Sequence, residues 1–328
     1  MNRNRREYRL LPIVLCSTAI TLSTLPAVAA VAYPVKPIRV IVPSSPSSGP
    51  DIVARLIGGW FTQGWGQQVV ADNRTGAAGN IGAEIAARSA PDGYTLLLAN
   101  SQQVISAAML DRLAYDLVRD FTPVTLISTS PYVLVVHPAV AATSVKELIA
   151  LARAQPGVLN YGSSGTGGAP HLAAEMFRTT AGVKILHVPY KSVVFALTDL
   201  MGGQIQFAFS VLPAAQPAIR QGRLRALGVS SLKRTALAPE LEPVADSLPG
   251  FEMIGWLGIA APAGTPARIV TLLNEEIQKA LTASEIRERL QAAGFDIVGA
   301  PPREFAAFIR TQLERMRATV AATGVRAQ

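Results

Sequence analysis

Short runs of β-branched and aromatic residues alternate along the chain with segments whose apolar positions recur every three or four residues. This alternation predicts a layered α/β architecture. IRVIVP (38–43), QQVVAD (67–72), YTLLLAN (94–100), YVLVVHP (132–138) and LNYGS (159–163) read as strands, as do KILHVP (184–189), IQFAFS (205–210), LRALGVSS (224–231), WLGIAAP (256–262) and FDIVGA (295–300). Helices fall between them. TSVKELIALARAQPG opens with a capping box, Ser144 to Glu147, and stops at Pro156 and Gly157. TPARIVTLLNEEIQKAL starts at Thr265 with Pro266 in its first turn. A long C-terminal helix places Phe305, Phe308, Ile309, Leu313 and Met316 on one face. There is no internal repeat or long linker, so two lobes would be joined by strands or tight crossovers, with the chain crossing near 128–132 and again near 250–256.

The N-terminus departs from this pattern. Residues 1–9 carry Arg3, Arg5, Arg6 and Arg9 against Glu7, an apolar stretch follows to about Leu25, and PAVAAVA closes it. These features predict a secretory signal peptide over 1–32, cleaved after Ala29 or Ala32. Polar residues and prolines interrupt the stretch, which argues against a membrane span. Removing 1–32 lowers the formal net charge from +8 to +5 and takes away Cys16, the single cysteine, leaving neither disulfide nor thiol chemistry. No basic cluster remains to suggest a nucleic-acid partner. The rest is long enough for two domains.

Candidate chemistry is sparse. His137, His171 and His187 lie in separate segments without metal-ligand spacing. Ser163 and Ser164 sit in GSSGTGG, but Thr166 stands where a nucleophile elbow needs its last glycine. Neither a phosphate-binding P-loop nor a complete dinucleotide fingerprint occurs, and no cofactor is implied. What remains is the loop itself: glycine-rich backbone between strand LNYGS and a helix with Pro170 in its first turn presents N–H groups at the positive end of a helix dipole, a seat for an anion. A flexible turn that binds nothing is the alternative. PSSPSSGPD, with Ser48 to Asp51 readable as a capping box, forms a second corner of the same kind after strand IRVIV. Two such corners could face each other across a crevice at the carboxyl ends of strands.

The segments YPVKPIRVIVPSSPSSGPDIVARLIG, VVADNRTGAAGNIGAEIAARSAPDGYTLLLANS, YDLVRDFTPVTLIS, LVVHP, LNYGSSGTGGAPHLAAEMF, HVPYK, ALTDLMGGQIQFAF, GRLRALGVSSLKR and GIAAPAGTPARIVTLLNEEI, in this order from Tyr33 onward, resemble the Bug-type receptors of tripartite tricarboxylate transporters. The resemblance implies a two-lobed, type II-like periplasmic binding protein of the Venus-flytrap kind, with lobe 1 from 33–130 and 254–328 and lobe 2 from 131–253. It implies a soluble, monomeric, non-enzymatic periplasmic receptor that binds a small carboxylate and hands it to membrane permease subunits, using neither metal nor cofactor. The carboxylate would be held largely by backbone N–H groups and waters.

Carried over by position, the site comprises Ser44, Ser45, Ser47 and Ser48, then Asn100, Ser101 and Gln102, then Ser164, Gly165, Thr166 and Gly167, with Tyr190 and Ser210. Asp51 reads as a helix cap. The chain departs from the family pattern in its first loop, where many members have P-F-x-x-G-G. It departs again at Ser210, where many have Asp; lacking that acid argues against an amino-acid ligand. A sensor subunit presenting ligand to a signalling protein is an alternative, and an exported hydrolase using Ser163 or Ser164 with His171 is a further one.

Overall fold

The computed structural model describes residues 33–326, so the expected signal peptide with its cleavage sites and Cys16 lies outside the described residues. In chain order the elements are β1 (Ile38–Val42), α1 (Gly49–Trp65), β2 (Val69–Asn73), α2 (Asn80–Ala87), β3 (Thr95–Asn100), α3 (Ser101–Met109), β4 (Phe121–Val136), α4 (Val145–Ala154), β5 (Asn160–Ser163) and α5 (Ala169–Ala181). They continue with β6 (Leu186–Pro189), α6 (Val193–Met201), β7 (Phe207–Val211), α7 (Leu212–Arg220), β8 (Arg225–Val229), β9 (Ile254–Pro262), α8 (Ala267–Thr282), α9 (Ser284–Ala292), β10 (Asp296–Ala300) and α10 (Pro302–Thr323).

The strands form one path, β2-β1-β3-β9-β4-β7-β5-β6, with β8 and β10 also pairing to β4. Strand β4 serves both halves. Its residues up to Pro131 run antiparallel to β9, ending at the Pro131–Ile254 pair, and from Tyr132 onward it pairs with β7, starting at Tyr132–Val211. Proline has no N–H to give a ladder, and Pro131 stands where the strand leaves one partner for the next. Ser230 ties this crossing: its N–H donates to the Tyr132 carbonyl at 2.8 Å, its Oγ accepts the Tyr132 N–H at 2.8 Å, and that hydroxyl also bonds the Met253 carbonyl. Strand β4 and the chain entering β9 are thus held together at one fully buried serine.

Local signals largely decide the helices. At α4, Ser144 caps by accepting the Glu147 N–H at 3.2 Å, but the Glu147 carboxylate turns to the N–H and hydroxyl of Thr143, so the expected box closes one residue early. At α1 the expected box does not form. The Ser48 hydroxyl donates to the Ser45 carbonyl, and Asp51 accepts the Ser47 N–H at 2.9 Å. Helix α8 begins two residues later than the expected Thr265, whose hydroxyl bonds the Pro262 carbonyl. On α10, Phe305, Ile309 and Met316 are buried, with Phe308 and Leu313 packed against the same core. Phe305 and Phe308 meet Trp256 edge-on, at 5.6 and 5.8 Å between centroids.

Candidate functional site

The β4–β9 crossing forms part of the wall of a crevice of about 1320 Å³. The first turns of α1, α2 and α3 line it from one half and, from the other, the N-cap of α5 and the first turn of α7, through Gly49 and Pro50, Asn80, Ser101 and Gln102, Gly168, and Pro213 and Ala214. Each helix N-terminus carries unpaired N–H groups and roughly half a positive charge. None of the residues lining the crevice is Asp, Glu, Lys, Arg or His. Its positive potential therefore comes from backbone, with no fixed cation to match.

Each corner is braced from behind. Asp51, 2% exposed, takes the Ser47 N–H and the Arg55 Nε at 2.9 Å, and the Asn73 Nδ2 at 3.0 Å. Burial opposes its charge, but these hydrogen bonds prevail and hold the carboxyl below its ordinary range. Asn73 Nδ2 also donates to the Ser44 carbonyl at 3.0 Å. Ser47 sits at φ +62°, a left-handed conformation that the Asp51 bond over-determines. At the third corner Asn100 caps α3, accepting the Gln102 N–H at 2.9 Å while Gln103 Oε1 accepts the Asn100 N–H at 2.7 Å.

The corner between β2 and α2 was not among the expected site residues. Gly76, Ala77, Ala78 and Gly79 all have positive φ, and the two alanines cost about 1–2 kcal/mol each in that region. A Cβ at Gly79 would lie 2.8 Å from the Pro43 carbonyl oxygen, so the two loops touch through backbone. Asn80 anchors the turn, donating to Ser106 Oγ at 3.1 Å and accepting the Tyr115 hydroxyl at 2.7 Å. The G-A-A-G stretch in NRTGAAGNIG is the signal that marks this further strand–turn–helix corner.

Across the crevice, Ser163 is buried and shares a 2.7 Å hydrogen bond with His187 Nε2, while its Oγ accepts the Gly165 N–H at 3.2 Å. The Gly167 N–H donates to His171 Nδ1 at 3.1 Å. That acceptor role requires a neutral imidazole with its proton on Nε2. The two imidazoles stack with centroids 4.1 Å apart, and Tyr161 stacks on His187 at 4.9 Å. Burial, and for His187 also the neighbouring His171, disfavour their charged forms; His187 is pushed down to about 4 and His171 below its ordinary value. The histidines thus prop the loop from beneath and lie outside the crevice lining.

Of the expected site residues, Ser44, Ser45, Asn100, Ser101, Gln102, Ser164, Thr166 and Gly167 line the crevice. The other five lie outside that lining. Ser47 and Ser48 belong to the brace of the first loop, and Gly165 closes the turn on Ser163. The Tyr190 hydroxyl donates to Asp199 at 2.8 Å. Ser210 is fully buried, because strand alternation sends it to the face opposite Val211. Gly167 contributes its bare Cα, its N–H being taken by His171, whereas the N–H groups of Ser164 and Thr166 have no protein acceptor among the described residues. The crevice also holds Tyr132, Trp256, Phe295 and Met109, which no local motif announced. Met109 roofs it, since its Cε would lie 3.1 Å from a Cβ on Gly167.

Residues 53–325 match the family model described as "Tripartite tricarboxylate transporter family receptor". The chain belongs to this family. Protein BugT of Bordetella pertussis is 34% identical over 302 residues, covering 91% of this chain and 93% of that protein. Among solved structures, that of R. palustris Rpa4515 with adipate is 33% identical and superposes with a TM-score of 0.76, covering 90% of this chain and 99% of the other. MatC from Rhodopseudomonas palustris, with bound malate, is 29% identical with a TM-score of 0.72, covering 88% and 100%. The chain has their two-lobed α/β fold, and its family is one of solute-binding receptors. No helix of the described residues is long and apolar enough to cross a membrane.

Proposed function

We propose that the protein is a periplasmic receptor that captures a small carboxylate-bearing solute between its lobes and passes it, chemically unchanged, to the permease of a tripartite tricarboxylate transporter. The observation that carries this reading is the convergence of five helix N-termini on a crevice free of charged side chains. Backbone dipoles of fixed direction suit an anion, and none of them can act as acid, base or nucleophile. Ser163, the serine with a histidine partner, is buried outside the crevice lining, which speaks against hydrolysis. Adipate and malate on the two neighbours agree with a carboxylate.

In this proposal the lobes comprise 33–130 with 254–328, and 131–253; the change of partners in β4 after Pro131 supports that division. Solute contacts the free N–H groups around Ser164 and Thr166 on one side and the Ser44–Ser45 and Asn100–Gln102 corners on the other. The receptor works as a monomer.

A thermal-shift and calorimetric screen of carboxylates tests this. A bound acid at 100 times its dissociation constant stabilises the fold by about 2.7 kcal/mol. Stabilisation by sugars or nucleotides and by no carboxylate would overturn the solute class, and turnover of a bound ester or amide would overturn the non-enzymatic reading.

A further inference from the structure

We propose that the solute is a monocarboxylate whose body is an apolar ring, an aryl acid, in preference to a flexible or hydroxylated polycarboxylate. This rests on the carboxylate reading above and adds to it what fills the other end of the crevice.

The polar groups of the lining are unevenly free to hold an anion. Several lining side chains already spend their hydrogen bonds inside the protein. Ser130 Oγ donates to the Gly294 carbonyl at 2.8 Å, the Asn80 amide is held by Ser106 and Tyr115, and the Asn100 oxygen caps α3. Buried polar groups so paired have little left for a solute. Unspent donors stay on Ser101 and Gln102 and on the Ser164–Thr166 loop, beside the Met109 roof.

Around Phe295 the lining is of another kind. A Cβ on Gly49 would meet Phe295 Cζ at 2.9 Å, and one on Gly294 would meet Pro213 Cγ at 2.2 Å, so Gly49, Pro213 and Phe295 are packed into one wall. Pro213 in the first turn of α7 carries no N–H, which removes a donor from that helix end. Val211 and Ala293 complete a surface with no polar side chain, and Tyr132 and Trp256 add aromatic faces to the same crevice. The side chains of Phe295, Pro213, Val211 and Ala293 would give a second carboxylate placed against them neither a cation nor a donor for the water it loses, whereas a ring would bury apolar area against them. The volume of about 1320 Å³ also leaves room for a ring.

The test is calorimetry on the whole protein, after purification under conditions that strip bound solute, with benzoate, naphthoate, adipate and malate, and with benzamide as the uncharged counterpart of benzoate. Benzoate or naphthoate is expected to bind at least tenfold more tightly than adipate and malate, and benzamide at least tenfold more weakly than benzoate. Phe295→Ala is expected to lower affinity for the aryl acid by tenfold or more; Phe295→Leu, which keeps the wall apolar, retains most of it should the alanine variant fold poorly. Adipate or malate binding as tightly as the aryl acids overturns the ring proposal and leaves the carboxylate reading standing. Benzamide matching benzoate, or no acid binding up to millimolar concentration, overturns the carboxylate reading and the ring proposal with it.

Discussion

Acid should destabilise this protein through the stacked histidines before it reaches the carboxylates. Between pH 6.5, the ordinary histidine value, and about 4, where His187 titrates in the fold, the unfolded chain binds a proton that the native chain refuses. Stability therefore rises with pH across that window and is lost as pH falls through it. The His187 difference corresponds to about 3 kcal/mol at ~1.4 kcal/mol per pH unit. Solvent access to the half-buried ring trims this to roughly 2 kcal/mol, and His171, shifted in the same direction, adds to it. The groups facing the pair are Tyr161 and Glu175, which hydrogen-bond at 2.6 Å, and Arg178, paired with Glu175 at 2.8 Å. Asp51, Asp72 and Asp120 are all held below the aspartate value of 3.8, so they contribute their losses only at still lower pH. Urea unfolding followed by circular dichroism at about pH 7.5 and about pH 5 should show wild type losing roughly 1–2 kcal/mol more than His187→Gln, whose neutral amide does not titrate. Equal losses in the two proteins, with an unshifted imidazole resonance for His187 on titration, would refute the reasoning.

Other outcomes follow from single contacts. Gly167→Ala should cost about 1–2 kcal/mol of stability for a left-handed φ of +78° and should weaken solute binding; Met109→Ala in the same chain should restore part of the binding, because the new Cβ lies 3.1 Å from Met109 Cε. Asp51→Ala should destabilise by about 2 kcal/mol, since it strands the Ser47 N–H and removes one of the two acceptors of the Asn73 amide, and should speed amide exchange in the 44–48 loop. Ser230→Ala should cost about 2 kcal/mol by leaving the Tyr132 N–H without its partner, measured by chemical unfolding; no loss would mean that the crossing is not tied there. Scattering should show a smaller radius of gyration with bound carboxylate if the lobes close on it, and an unchanged radius in an initially open protein would count against closure.

Local pattern by itself determined much of this protein. Each observed strand overlaps one of the expected strand runs, and the corners at 44–48 and 164–167 were legible because strand, small-residue turn and helix follow one another within a few residues. Where long-range contacts compete, local reading stops. The first half of β4, with Pro123 and Pro131 inside it, is a strand because β9 and β10 lie against it. The polar segment SEIRERLQA becomes α9 by burying Ile286 and Leu290. Ser210 and Tyr190 occupy positions carried over from the family pattern, yet burial of one and the Asp199 bond of the other were decided in three dimensions. The Gly167 N–H, by contrast, is taken by His171 only four residues on, in the first turn of α5, a local contact. Tyr132, Trp256 and Phe295 lie up to 163 residues apart and share no motif. A strand–turn–helix corner can be read locally because a helix end and a glycine turn make it from adjacent backbone; the aromatic wall of the crevice is assembled from distant side chains, and tertiary structure alone brings them together.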